Sequence, residues 1–275
     1  MNGQIKASAL IITKDEARKL PACINALKDF DEIIVVDSNS RDGTPDIAAQ
    51  NGASVYNFTW NGAYPKKRQW CLENISTKHE WIFFCDADEI VPQTLIDEIK
   101  ATLDPMPLQA GFFVYGQYIM DGKPLRYGLR NNKIILINKH KMYYPHVDDL
   151  DIAGMGEIEG HYQPVPANPR SVIGQLKTPL LHEAYANIAA WDFKHQKYAT
   201  WAARMTQKKA WPRDPVLWRD IAKKLMRRNP LRPHIMFFYS YILRLGFLDG
   251  KAGHTHARYR YLYERMIQRN LKTFS

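Results

Sequence analysis

Glu32-Ile33-Ile34-Val35-Val36-Asp37, followed after a polar loop by Thr44-Pro45-Asp46, is the stretch that decides the fold. A short, unbroken β-branched run between turn residues reads as a strand buried on both faces. Thr44 before Pro45 reads as the N-cap and first turn of a helix. The same unit recurs on both sides. Upstream, the apolar run Ala7 to Ile12 predicts a strand, and Leu20, Ile24 and Leu27 at helical spacing predict a helix over 16–28. Downstream, 54–57 reads as a short strand, 65–74 as a helix, Glu80-Trp81-Ile82-Phe83-Phe84-Cys85 as a fourth strand and 92–103 as a helix. Alternating β and α units with apolar strands predict an α/β fold, a mostly parallel sheet flanked by helices. Ligands in such sheets sit outside the carboxyl ends of the strands, so Thr13 to Asp15, Asp37 to Asp42 and Asp86 to Glu89 should line one crevice.

Beyond residue 110 the pattern changes to strands with long loops, at 111–120, 133–138 and 177–181, with a polar, Gly-containing loop over 145–161. After residue 184 it is helical, over 188–210, 215–228 and 234–248. The expected division is an α/β domain over 1–185, made of a nucleotide-binding half (1–105) and a half that closes the site (106–185), followed by a basic helical extension over 186–275.

At 275 residues, 45% hydrophobic and 24% charged, the composition excludes disordered, collagen-like and disulfide-scaffold classes. The cysteines Cys23, Cys71 and Cys85 form no C-x-x-C pair, and no secretory signal is legible at the N-terminus. Both fit a reducing, cytoplasmic setting. The net charge of +10 is uneven: residues 1–185 sum to −4 and residues 186–275 to +14. Such asymmetry predicts an anionic partner for the tail.

Asp86-Ala87-Asp88 at the end of an apolar strand is the strongest chemical signal. Two carboxylates one residue apart can share a hard divalent cation, which in turn binds a diphosphate. Taken alone, such residues are as well explained as solvated acids at a strand end.

Four motifs add context: Ile11-Ile12-Thr13-Lys14-Asp15-Glu16, Ile34-Val35-Val36-Asp37-Ser38-Asn39-Ser40-Arg41-Asp42-Gly43-Thr44, Lys66-Lys67-Arg68-Gln69-Trp70 and Asp86-Ala87-Asp88-Glu89. In order and spacing they resemble the family 2 glycosyltransferases, most closely the branch that includes lipopolysaccharide-core β-glucosyltransferases. Gly246-Phe247-Leu248-Asp249-Gly250-Lys251-Ala252-Gly253 resembles that branch's tail.

The resemblance implies a GT-A fold, a nucleotide-sugar donor (most often a UDP-sugar), Mn²⁺ or Mg²⁺ as cofactor, and inverting transfer to a glycan or lipid-linked acceptor. It implies that Asp37 accepts from the uracil N3–H, with Thr13 and Glu16 on the base and ribose side and Asp42 in the same loop. Asp88 would be the metal ligand, Asp86 its partner toward ribose or metal, and Lys67 and Arg68 a basic pair near the donor. Asp37 and Asp42 also suit turn and cap roles, and Lys66, Lys67 and Arg68 a solvated helix face. Inverting transfer needs a general base on the acceptor hydroxyl. The branch carries a glutamate near 157, where this chain reads Met155-Gly156-Glu157, so Glu157 is the expected base and Glu159 the second choice. Asp148, Asp149 and Asp151 are further acids of that loop. His182, after the last predicted strand, is the expected third metal ligand, ahead of His161.

Two other classes fit parts of the sequence. A nucleotidyltransferase would show a Gly-rich phosphate loop after the first strand, which is missing after Ile12. Nucleic-acid binding through Trp191, Trp201, Trp211 and Trp218 lacks any recognised module, so no nucleic-acid partner is expected. Trp, Tyr, Lys and Arg beside apolar faces suit helices lying on an anionic membrane surface, here the inner face of the cytoplasmic membrane. The same helices could alternatively pack on the catalytic domain or join two copies in a homodimer.

Overall fold

The computed structural model describes residues 4–152, 155–159, 162–183 and 188–273. Strands β1 (Ile5–Thr13), β2 (Phe30–Asp37), β3 (Ser54–Asn57) and β4 (Trp81–Asp86) lie parallel in the order β3-β2-β1-β4. Between them run α1 (Leu20–Ala26), α2 (Thr44–Gln50) and α3 (Lys67–Asn74). Trp81 through Cys85 are all buried, as a strand covered on both faces requires, and each large side chain contributes about 2 kcal/mol of apolar burial.

The chain continues through β5 (Glu89–Ile90), α4 (Gln93–Leu103), β6 (Gly111–Met120), β7 (Lys123–Pro124), β8 (Asn131–Asn138), β9 (Met142–Tyr143), β10 (Val165–Pro166), β11 (Ile173–Gln175) and β12 (Leu180–His182). These extend the sheet as β4-β8-β6-β12-β5, with β8 antiparallel to both neighbours. Only Ala87 and Asp88 separate β4 from β5, yet β5 pairs with β12 at the far edge. The sheet must therefore curl until β12 returns to the end of β4. That curl sets His182, opposite Glu89, beside the Asp86-Ala87-Asp88 turn.

Several expectations shift. The helix expected over 16–28 begins only at Leu20, because the backbone N–H groups of Asp15, Glu16 and Ala17 donate to Ser40, Thr44 and Asp42 of the neighbouring loop. The cap of α2 is Gly43, at φ +83°, and Thr44 is its first residue. The last strand starts at Leu180, three residues later than expected.

The C-terminal extension forms α5 (Ile188–Lys208), α6 (Leu217–Arg227), α7 (Arg232–Phe238), a π-helical turn (Tyr239–Leu243), a 3₁₀ turn (Gly246–Asp249) and α8 (Gly250–Thr273). The helical stretch expected over 234–248 is thus broken, at Leu245 with φ +58°. Trp191, Trp201, Met205, Tyr263 and Ile267 belong to the same buried cluster as the sheet, so α5 and α8 are core elements. Trp201 stacks near Tyr162 and meets Trp211 edge-on, which takes both indoles away from solvent-borne partners. A Cβ on Gly253 would stand 1.8 Å from the carbonyl oxygen of Gly246, so the glycine-rich segment 246–253 is a tight backbone crossing. Among the described residues no helix is long and apolar enough to cross a membrane.

Candidate active site

The parallel register places Thr13 opposite Asp37, Asp37 opposite Asn57, and Ile12 opposite Asp86. The predicted residues therefore reach one level at the carboxyl edge. The loops beyond are laced together. Asp37 accepts from the Ser40 amide (2.8 Å) and hydroxyl (2.5 Å), Ser40 Oγ accepts from the Asp15 amide (2.7 Å), and Asp15 accepts from the Arg41 amide (2.8 Å). Asp15 and Asn39 adopt positive φ, which short polar side chains tolerate better than most. Buried beneath this lattice, the hydroxyls of Thr13 and Ser38 have no protein partner. Buried polar atoms left unpaired in a rigid crevice are what a ligand's own donors and acceptors would satisfy.

Asp42 is otherwise employed. Its carboxylate accepts from the amides of Ala17 and Thr44 and from the Thr44 hydroxyl, and the Thr44 hydrogen bond foremost holds it below the usual carboxylate range. It fastens the Ala17 segment to the start of α2. Glu16 is pushed up by burial, with Lys19 opposing and Asp88 and Asp42 adding like charge, so it stands within electrostatic reach of Asp88.

A ladder of alternating charge crosses the site. Glu159, Arg68, Asp86, Lys133 and Glu89 follow one another: Arg68 Nη2 lies 2.8 Å from Asp86 Oδ1, Lys133 Nζ 3.8 Å from Asp86 Oδ2 and 2.5 Å from Glu89 Oε1. Glu89 Oε2 also accepts from the Asp86 amide at 3.0 Å. Burial opposes the charge on Asp86, but Arg68 and then Lys133 hold its carboxyl down at about 2. Burial pushes Glu89 up and Lys133 opposes it. Glu89 belongs to the crevice-lining stretch read from the sequence, whereas Lys133 is not legible as a site residue, because it reaches Asp86 only through β8 in the second half of the sheet.

Asp88, by contrast, makes no hydrogen bond or ion pair among the described residues. His182 carries a buried Nδ1 without a partner. Burial lowers its pKa and Asp88 is the strongest charge opposing that, so the ring is neutral at pH 7 and close to Asp88. The expected metal trio is not assembled as a set: no group of three His, Cys, Asp or Glu is gathered for a metal among the described residues, since Asp86 is turned to Arg68. Of the three, Asp88 and His182 have ligating atoms without a hydrogen bond or ion pair among the described residues.

The loop of acids resolves into different jobs. Glu157 Oε1 sits 2.6 Å from Lys67 Nζ, and the Lys67 amide donates to the Glu157 carbonyl. Among the described residues its Oε2 has no hydrogen-bond or ion-pair partner. Glu159 is buried and accepts from the amides of Arg68 (2.7 Å) and Gln69 (3.2 Å), closing the exposed N–H groups at the start of α3. Glu159 Oε1 is thus spent on the backbone at the start of α3. Asp149 is buried too, accepting from Lys66 Nζ (2.7 Å), Tyr64 Oη (2.8 Å) and Trp201 Nε1 (2.8 Å). Lys66 and Asp149 thus join the motif, the acid loop and α5 in one node, and Lys66 is no solvated face. The expected basic pair, Lys67 and Arg68, is fully matched to acids. Asp148 and Asp151 share Lys208 at the surface. His161 lies outside the described residues.

The family model described as glycosyl transferase family 2 matches residues 8–151. The chain belongs to this family. Its mostly parallel, helix-flanked sheet is the GT-A architecture that the sequence led us to expect. An uncharacterized glycosyltransferase of Rickettsia felis is 44% identical over 96 residues, which are 34% of this chain and 33% of that protein. The glycosyltransferase SunS of Bacillus subtilis is 35% identical over 83 residues, 29% of this chain and 19% of that protein. The chain therefore matches a third or less of the length of these relatives. Among solved structures, glucosyl-3-phosphoglycerate synthase from Mycobacterium tuberculosis, in complex with Mn²⁺, UDP and glucosyl-3-phosphoglycerate, is 22% identical with a TM-score of 0.34, covering 42% of this chain and 44% of that one.

Proposed function

We propose that this family 2 member is a metal-dependent, inverting glycosyltransferase. It moves a sugar from a UDP-sugar to a glycan or lipid-linked acceptor of lipopolysaccharide or another cell-surface polysaccharide, at the inner face of the cytoplasmic membrane. Residues 1–185 form the catalytic part and 186–275 the extension. The observation that carries the reading is the contrast at the end of β4: Asp86 is locked by Arg68 and Lys133, while Asp88, two residues on and close to His182, makes no hydrogen bond or ion pair among the described residues.

Asp37, Thr13 and Ser38 receive the base and ribose, the two unpaired hydroxyls supplying adaptable donors and acceptors. Glu16 borders the ribose side. The donor set at Asp88 and His182, one hard oxygen and one neutral imidazole, fits Mn²⁺ or Mg²⁺. When bound there, the ion would offset the charge of the departing diphosphate. Asp86 and Arg68 hold the turn that presents Asp88. Glu157 Oε2 takes the proton from the acceptor hydroxyl, and Lys67 on Oε1 orients the carboxylate. The acceptor oxygen then bonds to the anomeric carbon as the bond to the diphosphate breaks, and UDP leaves with the electron pair.

UDP release from a panel of UDP-sugars, with lipid-linked glycan as acceptor, tests this. Glu157→Gln should cut transfer roughly a hundredfold or more while UDP binding persists; transfer at the unmodified rate would remove Glu157 from the mechanism.

A further inference from the structure

Helix α6 is inside out. At about 100° per residue, Leu217, Trp218, Ile221 and Leu225 fall within a single arc of about 100°. A helix of a water-soluble fold buries that stripe, yet these four side chains are 74%, 70%, 51% and 74% exposed. The charged face is turned inward instead: Arg219 lies over the Phe113 ring at 4.9 Å, Arg227 over Trp211 at 4.6 Å, and Lys223 2.5 Å from Asp214. The sole acid of the helix, Asp220, is buried and paired with Lys224. The fold fixes the helix by its cationic side and leaves the apolar side outward.

We propose that this face docks on an anionic phospholipid surface, with the stripe immersed at the headgroup and acyl boundary. Charge complementarity selects lipid as the occupant. From Leu217 to Leu248 the chain carries seven Lys or Arg and one acid, and exposed Lys224 and Arg228 flank the stripe. Trp218 suits that boundary, with an apolar body and a polar N–H. A second copy would bring two extensions of charge +14 together across the stripe, a like-charge contact that a negative lipid surface does not impose. Leu231, Phe238 and Leu243, further along the same cation-rich segment, are also exposed. The inference narrows the membrane contact of the proposed function from the whole extension to one helix face, since α5 and α8 are core. It depends on that reading only for its purpose, delivery of the enzyme to a lipid-linked acceptor.

Flotation of the full chain with vesicles of phosphatidylcholine plus phosphatidylglycerol, and with phosphatidylcholine alone, tests it without donor or acceptor. The chain should float with the anionic vesicles and be released by salt. The double variant Leu217→Ser, Leu225→Ser should weaken partition about tenfold or more with an unchanged thermal midpoint. Failure to bind anionic vesicles, or undiminished binding by the variant, overturns the proposal. So does a wild-type dimer in solution that the variant converts to monomer. None of these results bears on UDP release, so the failure of either reading is seen separately.

Discussion

Charge is settled differently at the two ends of this molecule. Around the strand ends, Lys66, Lys67, Arg68 and Lys133 are each matched to a carboxylate, while the acid Asp88 has no such match among the described residues. In α6, Arg219 and Arg227 rest on aromatic rings, and what is left unmatched is apolar, the stripe from Leu217 to Leu225. The comparison teaches that function follows from what the fold leaves unsatisfied, not from how many charges a region holds. The first region is left fit for a cation and an anionic donor. The second is left fit for a lipid surface.

The sharpest way to break the contrast is at Asp88. Asp88→Asn should lower sugar transfer roughly a thousandfold or more, measured by UDP release, while the thermal midpoint stays put because Asp88 makes no hydrogen bond or ion pair among the described residues. Asp149→Ala should do the reverse. It strands buried Lys66 and leaves Tyr64 Oη and Trp201 Nε1 unpaired, so denaturant unfolding should show a loss of about 3–5 kcal/mol. Its exposed neighbour, in Asp148→Ala, should leave the midpoint where it is.

Acid should act on the extension next. Burial holds His256 down at about 4, with its hydrogen bond to the Leu129 carbonyl opposing. An unfolded histidine takes up a proton near pH 6.5 while the folded one does not, so stability is complete above that pH and falls between about 6.5 and 4. The contribution from His256 amounts to at most about 3 kcal/mol. Thermal melts over that range should show the decline, shallower in His256→Gln; an identical decline in that variant would assign it elsewhere. The smallest effect should come from Asp42→Ala, which loosens the loop at Ala17 and Thr44, lowers the midpoint slightly and leaves UDP affinity unchanged.

What sequence could reveal follows from range. Strands β2 and β4 are legible because burial on both faces demands unbroken apolar runs, and the level of Asp37 and Asp86 follows from where those runs stop. The jobs of adjacent acids are not legible. Glu157 and Glu159 differ only in which points at Lys67 and which at the start of α3, a matter fixed by the packing of a distant loop. The same holds for Lys133, carried to Asp86 by the curl of the sheet, and for Lys66, drawn from an apparent surface run into a buried pair. In α6 the apolar spacing is plain in the sequence, but nothing local says that the stripe faces outward.

The central claim is that the strand ends form a nucleotide site completed by a divalent ion at Asp88. Thermal shift with UDP, GDP, CDP and dTDP, each with and without Mn²⁺, tests it directly, since a ligand that binds only the folded state raises the midpoint. The account predicts a rise with UDP that requires Mn²⁺ and vanishes in Asp88→Asn. No rise with any nucleotide, or the same rise in the variant, would contradict it.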